Sequence, residues 1–278
     1  MKRLRHLFIP FVAVLWACEP VMVESEDPHR LVVEGWMDAG GHPLVTVTWP
    51  AAAQVQDKPA SSLASHVIQD AVVTVTADDG TEYRLTGQVN RNHLPPYVYT
   101  TEELTGQVGH TYTLKVIFGN HAASGSTTIP APVPLERLTV TPSDLADSLY
   151  MITAYFPGPP APGLHYRFFT QIEGKDTMFY PSVLSGVDAG NYTGSIPVTR
   201  GWQLGQSNKP LYYQGEVVHV RLCTMDDAAG RFWNSYDEVA TLGTIPFFTS
   251  TNNARSNLTG AFGYWAGYGV STGTVVIP

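Results

Sequence analysis

The chain predicts an all-β fold of two β-sandwich-like domains, and three observations carry that expectation. Apolar and polar residues alternate with period two along most of the sequence, its 25 glycines and 21 prolines punctuate the alternating runs, and a single stretch keeps a helical period. Period two places successive side chains on opposite faces of a strand, so each run describes a half-buried strand rather than a helix.

The first domain is expected over residues 31–130. Val45, Val47 and Trp49 alternate with Thr46 and Thr48, Val73 and Val75 with Thr74 and Thr76, and Tyr112, Leu114, Val116 and Phe118 with Thr111, Thr113 and Lys115. Asp78-Asp79-Gly80 separates two such runs, and Asp-Gly supplies the positive φ angles of a tight hairpin turn. Short strands with Gly and Pro turns and no sustained helical period suggest an immunoglobulin-like or transthyretin-like sandwich. Pro130, Pro132 and Pro134 then favour an extended connector, and the linker is placed at residues 131–136.

The second domain is expected over residues 137–278. Strands are read at 138–141, 150–156, 165–172 and 216–224, the last with Val218, Val220 and Leu222 on one face and His219, Arg221 and Cys223 on the other. Proline and glycine at 157–163 make a loop that cannot join a ladder. Between 226 and 242, Phe232, Tyr236 and Val239 recur at spacings of four and three, which predicts one short amphipathic helix. Asp226 and Asp227 are read as its start, where carboxylates satisfy free N–H groups. The last forty residues set glycines among Phe262, Tyr264, Trp265 and Tyr268. They read as the final strands of this domain, with glycine where backbones or rings approach closely.

Residues 1–17 read as a bacterial lipoprotein signal. Lys2, Arg3 and Arg5 precede a short apolar run that ends in Leu15-Trp16-Ala17-Cys18, and that run falls within the ~7–15 residues of a signal segment, short of the ~18 of a membrane span. Cleavage before Cys18 leaves it as the lipidated N-terminus, and residues 18–30 form an acidic tether. Acyl chains on Cys18 are then the expected attachment to the membrane.

Composition excludes other partners. A net charge of −8 with no basic run argues against nucleic acid, whose binders cluster cations. With two cysteines in all, an acylated Cys18 leaves Cys223 without a disulfide partner, and Cys223 is read as a half-buried, inert residue of a sheet rather than a thiol activated by Arg221.

Motifs of catalysis are weak. Gly269-Val270-Ser271-Thr272-Gly273 matches a nucleophile elbow in letters alone, since the chain has no room beyond it for a helix, an acid and a histidine. The nine histidines are dispersed, Asp78-Asp79 and Asp226-Asp227 lack the alternating spacing of a calcium loop, and no glycine-rich phosphate loop opens a helix. No catalytic residue, metal or cofactor is therefore expected. Asn191 and Asn257 open glycosylation sequons that mean little in a bacterium.

Aromatic residues are the remaining signal. Trp202, Tyr212, Tyr213, Trp233, Tyr236, Tyr264, Trp265 and Tyr268 all lie in the second half. Most are expected to fill the core. Tyr212-Tyr213 and Tyr264-Trp265, however, are adjacent pairs, and one member of each should face away from its neighbour. If the inner member packs the core, the outer one is exposed, which makes Tyr212, Tyr213, Tyr264 and Trp265 the candidate binding surface.

The run 246–268, closing in Gly260-Ala-Phe-Gly-Tyr-Trp-Ala-Gly-Tyr268, resembles the end of a Bacteroidota lipoprotein family known as domain of unknown function 4249. Leu31-Val-Val-Glu-Gly-Trp36, the hairpin at 70–80, Gly109-His-Thr-Tyr-Thr-Leu-Lys-Val116 and Ile129-Pro-Ala-Pro132 are similar to it and stand in the same order. The resemblance implies an outer-membrane lipoprotein encoded near TonB-dependent receptors, with no established activity and no catalytic residues to carry over. Glu19-Pro20-Val21 follows Cys18 where the family has an acidic run, which leaves the periplasmic or surface face undecided. The expected function is that of a non-enzymatic accessory subunit beside a TonB-dependent uptake receptor, holding a glycan or peptide ligand or docking a partner. The alternative is a structural or adhesion module of the cell envelope that binds no small ligand.

Overall fold

A computed structural model describes residues 30–50, 65–158, 162–182, 186, 192, 194–201, 210–242 and 255–278. Cys18, the signal segment, the tether up to residue 29, Asn191 and Trp202 lie outside the described residues. The first half of the chain forms β1 (Leu31–Asp38), β2 (Leu44–Thr48), β3 (Val72–Ala77), β4 (Glu82–Val89), β5 (Tyr97–Thr100), β6 (Thr111–Phe118) and β7 (His121–Thr128). The second half adds β8 (Arg137–Ser143), β9 (Ala146–Tyr155), β10 (His165–Ile172), β11 (Tyr180–Pro181), β12 (Ser195–Val198), β13 (Tyr212–Tyr213) and β14 (Val217–Met225). A helix, α1 (Asp227–Leu242), and a sixteen-residue strand, β15 (Ala261–Val276), follow.

The fold is all-β and sandwich-like with one helix among the described residues, as the alternation predicts. An eleven-stranded sheet runs β11-β10-β14-β15-β1-β2-β5-β4-β3-β6-β7, and a four-stranded sheet holds β12-β9-β13 with β8 paired to β9. In the first half, Val33 of β1, Val45 and Val47 of β2, Val73 and Val75 of β3 and Leu114 and Val116 of β6 share one core. In the second half, Val218, Val220 and Leu222 of β14 and Phe168 and Ile172 of β10 meet Ile152 and Ala154 of β9 across the smaller sheet. The β14 face is the one the sequence predicts, because only one of the two alternating sets is apolar throughout.

The hairpin and the helix start also follow local chemistry. Asp79 Oδ1 accepts from the Thr81 amide at 2.8 Å and Gly80 has φ of 85°, so β3 turns into β4 through the Asp-Gly corner. Asp226 Oδ1 accepts from the Ala229 amide at 2.9 Å, capping α1, while its Oδ2 accepts from Thr127 Oγ1 at 2.7 Å and the Thr128 amide at 3.0 Å. One carboxylate thus ends a helix and ties it to β7.

The C-terminal run departs from the expectation that it completes the second half alone. Residues 261–268 of β15 pair in parallel with β1, from Leu31 with Ala261 to Asp38 with Tyr268, and residues 269–276 pair antiparallel with β14. One strand therefore belongs to both halves and makes their sheets continuous. Its glycines permit this. A Cβ on Gly267 would lie 2.8 Å from Ile129 Cγ1, and one on Gly269 would lie 2.4 Å from the Pro130 carbonyl oxygen, so the proline connector lies flat against the strand only because side chains are absent there. Ser271, in mid-strand, donates to the Val133 carbonyl at 2.6 Å and accepts from the Leu135 amide at 3.1 Å. Its hydroxyl stitches the same connector down, a structural use for the residue at the centre of the apparent elbow motif.

Candidate functional site

Because β15 joins the halves, a concave face forms where β2, β1, β15, β14 and β10 lie side by side. Trp36 and Asp38 of β1 alternate away from the first core, and Ala266 and Tyr268 of β15 stand beside them in register. Arg221 and Cys223 of β14 and Phe169 and Gln171 of β10 continue the row, with Phe169 opposite Arg221. Helix α1 covers one part of this face. Phe232 stacks on Tyr264 at 4.7 Å between ring centroids, and Trp233 Nε1 donates to Tyr268 Oη at 2.9 Å.

A cavity of about 280 Å³ is lined by residues of this row and by two loops. Trp36, Phe169, Arg221 and Tyr268 come from the sheet and Trp233 from the helix. Asn90, Asn92 and His93 come from the β4–β5 loop, and Thr177, Met178 and Phe179 from the β10–β11 loop. Both halves of the chain supply lining residues, and seams of this kind are common places for ligand pockets.

The electrostatics of the lining are balanced. Arg221 Nη2 donates to both carboxylate oxygens of Asp38 at 2.8 Å, and its guanidinium carbon lies 5.1 Å from the centre of the Phe179 ring. Burial raises the Asp38 carboxyl above its ordinary value, with Arg221 pulling it back in part. His93 is 6% exposed and stacks on Trp36 at 5.5 Å with 20° between the rings. Its Nδ1 lies 3.1 Å from the Pro95 carbonyl oxygen, and since a carbonyl only accepts, the proton sits on Nδ1 and leaves Nε2 as an acceptor. Burial lowers the His93 pKa, so the ring is neutral near neutral pH. His93 Nε2 and Arg221 Nε have no hydrogen-bond partner among the described residues.

The four aromatic candidates separate. Tyr264, 8% exposed, lines the cavity. Trp265 is 0% exposed and points to the opposite face, where Nε1 donates to the Tyr112 carbonyl at 2.9 Å within the first core. The expectation that one member of this pair is exposed is therefore corrected: at Tyr264 and Trp265, β15 is covered on both faces, by the first core on one side and by α1 on the other. Tyr212 is 0% exposed inside the second core, where burial pushes its phenol up, and Tyr213 is half-buried with its amide donating to Glu216 Oε2 at 2.9 Å. The structure does not bring Tyr212 and Tyr213 to the cavity.

Sequence reasoning passed over Trp36, Asn90, Asn92, His93 and Arg221 as site residues. Strand alternation could have found Trp36, a large ring on the face opposite Val33 and Met37, but nothing local signals that the 90–93 loop meets it. Cys223 is fully buried rather than half-buried, and burial drives its thiol up to about 12, which disfavours the reactive thiolate. Among the described residues no three His, Cys, Asp or Glu side chains converge on a point that could hold a metal, and no helix is long and apolar enough to cross a membrane.

Among solved structures, two cytokine receptor complexes, in crystal forms 1A and 2, are similar at 11% and 12% identity with TM-scores of 0.22 and 0.26. Each is matched over 72% of this chain, covering 85% and 92% of theirs, and likenesses so slight say nothing of this chain's role. No curated protein matches the chain at a significant level. The family model described as a domain of unknown function (DUF4249) matches residues 19–274, nearly the whole chain, and the protein belongs to that family.

Proposed function

We propose that this protein is a non-enzymatic lipoprotein of the outer membrane that holds a small ligand at the seam between its halves, as an accessory to a TonB-dependent uptake receptor. One observation carries the ligand-binding part: the aromatic cavity of about 280 Å³, with Trp36, Phe169, Trp233 and Tyr268 on its lining and a few polar groups among them. Ligand pockets are mostly apolar concavities with a small number of convergent polar groups, and this one has that make-up. Lipid on Cys18 would confine the protein to the membrane plane and raise its effective concentration beside a receptor. Family resemblance supports the Bacteroidota origin and the receptor as partner.

The test is affinity purification of the intact lipoprotein from mildly solubilised outer membranes, with mass spectrometry of what accompanies it and Cys18→Ala as control. Co-purification of a TonB-dependent receptor, lost in the control, is the expected result. Recovery of the lipoprotein alone would exclude a stable complex and favour a free-standing envelope module.

A further inference from the structure

The lining chemistry narrows the ligand, an inference that rests on the ligand-binding reading above. Charge is the first constraint. Arg221 is the only cation on the described lining and is already neutralised by Asp38 at 2.8 Å, and no Lys, Asp or Glu lines the cavity among the described residues. An anion would have to displace Asp38, and a cation would meet no carboxylate. Burying either unpaired is costly. The ligand that fits is neutral.

Ring faces are the second constraint. Trp36 with its His93 stack, Phe169, Phe179 and Tyr268 present ring faces on the lining. The third is the pattern of polar groups. Asn90, Asn92 and Gln171 on the lining carry side-chain amides, each with both donors and an acceptor. A hydroxyl donates and accepts at once, so a ring bearing several hydroxyls can serve both kinds of group. An apolar ring serves neither, and covering those amides without giving them hydrogen bonds carries a penalty. A pyranose combines a C–H face that stacks on aromatic rings with an edge of hydroxyls. At about 280 Å³ the cavity lies near the ~300 Å³ low end of ligand-pocket volumes and has room for one ring.

We infer that the cavity takes one neutral sugar ring, either free or at the end of a glycan. The test uses the intact lipoprotein in a polyoxyethylene detergent, since sugar-headed detergents would compete. Tryptophan fluorescence titration and saturation-transfer NMR are run with neutral monosaccharides (glucose, galactose, mannose, xylose and N-acetylglucosamine) and with short neutral oligosaccharides built from them. Glucuronate serves as a charged counterpart and indole as an apolar one. The expected result is saturable binding of a neutral saccharide, weakened at least tenfold by Trp36→Ala and retained by Trp36→Phe, with glucuronate and indole far weaker. Monosaccharide binding equal to that of the oligosaccharide identifies a free sugar, and binding only as an oligosaccharide identifies a glycan end. Asn92→Ala, on the exposed rim, reports on the same site should Trp36→Ala fail to fold, and it too should weaken the saccharide. Binding of indole but no saccharide, sensitive to Trp36→Ala, overturns the sugar assignment while keeping a ligand site. Binding of none of these probes overturns both the sugar assignment and the ligand-binding reading.

Discussion

Arg167 of β10 and Asp237 of α1 form a buried two-point ion pair, Nη2 to Oδ1 at 2.7 Å and Nη1 to Oδ2 at 3.1 Å, with the guanidinium carbon 4.5 Å from the centre of the Trp233 ring. This pair fastens the helix to the sheet beside the cavity, and Arg167 is 0% exposed. Removing one partner strands the other charge in a dry setting. Asp237→Asn is expected to cost about 3–5 kcal/mol, whereas the double change Arg167→Met with Asp237→Leu should recover most of it. Urea unfolding followed by tryptophan fluorescence measures both, and a single variant as stable as the parent would show that the pair is not needed to hold α1 in place.

Gly263 is where β15 enters the sheet beside β1, with φ of 110° and a would-be Cβ only 2.0 Å from the Val33 carbonyl oxygen. Gly263→Ala is expected to destabilise by about 1–3 kcal/mol through backbone strain. Gly80→Ala serves as a comparison, since it too has positive φ but has nothing within 4 Å of the added Cβ. Equal melting temperatures for the two variants would mean that the close approach to Val33 adds nothing to the strain.

Stability should fall in mild acid because of His93. Burial holds its pKa below the ordinary 6.5, so the unfolded chain binds more protons than the folded one in the range just below that value. This contribution is full above pH 6.5 and is lost as the pH falls towards the folded pKa, at up to about 1.4 kcal/mol per pH unit. Asp38, raised by burial, gives a slope of the opposite sign at lower pH. His93→Gln should flatten the arm just below pH 6.5, and denaturation curves collected at intervals of half a pH unit check this. An unchanged slope in the variant would assign the acid sensitivity elsewhere.

Cys223 should resist modification. Its thiol is fully buried and pushed up to about 12, so a Cys18→Ser chain, which keeps Cys223 as its only cysteine, is expected to take up no thiol reagent until denatured. Labelling at the rate of a free thiol under native conditions would contradict that burial.

Strand faces, the Asp-Gly corner and the helix start were legible because each depends on residues close in the chain. Val218, Val220 and Leu222 declare their face by alternation, Gly80 by its turn, and Asp226 by preceding a run with helical spacing. Strand β7 was not legible: His121-Ala-Ala-Ser-Gly-Ser-Thr-Thr128 carries almost no apolar pattern and forms a strand because β6 offers it a full ladder of hydrogen bonds. The aromatic pair Tyr264-Trp265 was legible as two-faced, but the inference that one face meets solvent failed once α1 lay over Tyr264.

By itself the sequence determined the all-β class, the helix that follows Asp226 and which residues of each strand share a face, since these follow from side-chain periodicity and backbone preference over a few residues. Only the tertiary structure decided that residues 261–268 pair in parallel with residues 31–38, and with it the cavity where Trp36, His93, Arg221 and Tyr268 meet. The physical reason is that a strand's backbone groups accept any partner of suitable edge. Which strand lies beside which is settled by how the whole chain buries its two apolar faces, and the glycines of β15 permit that choice without announcing it.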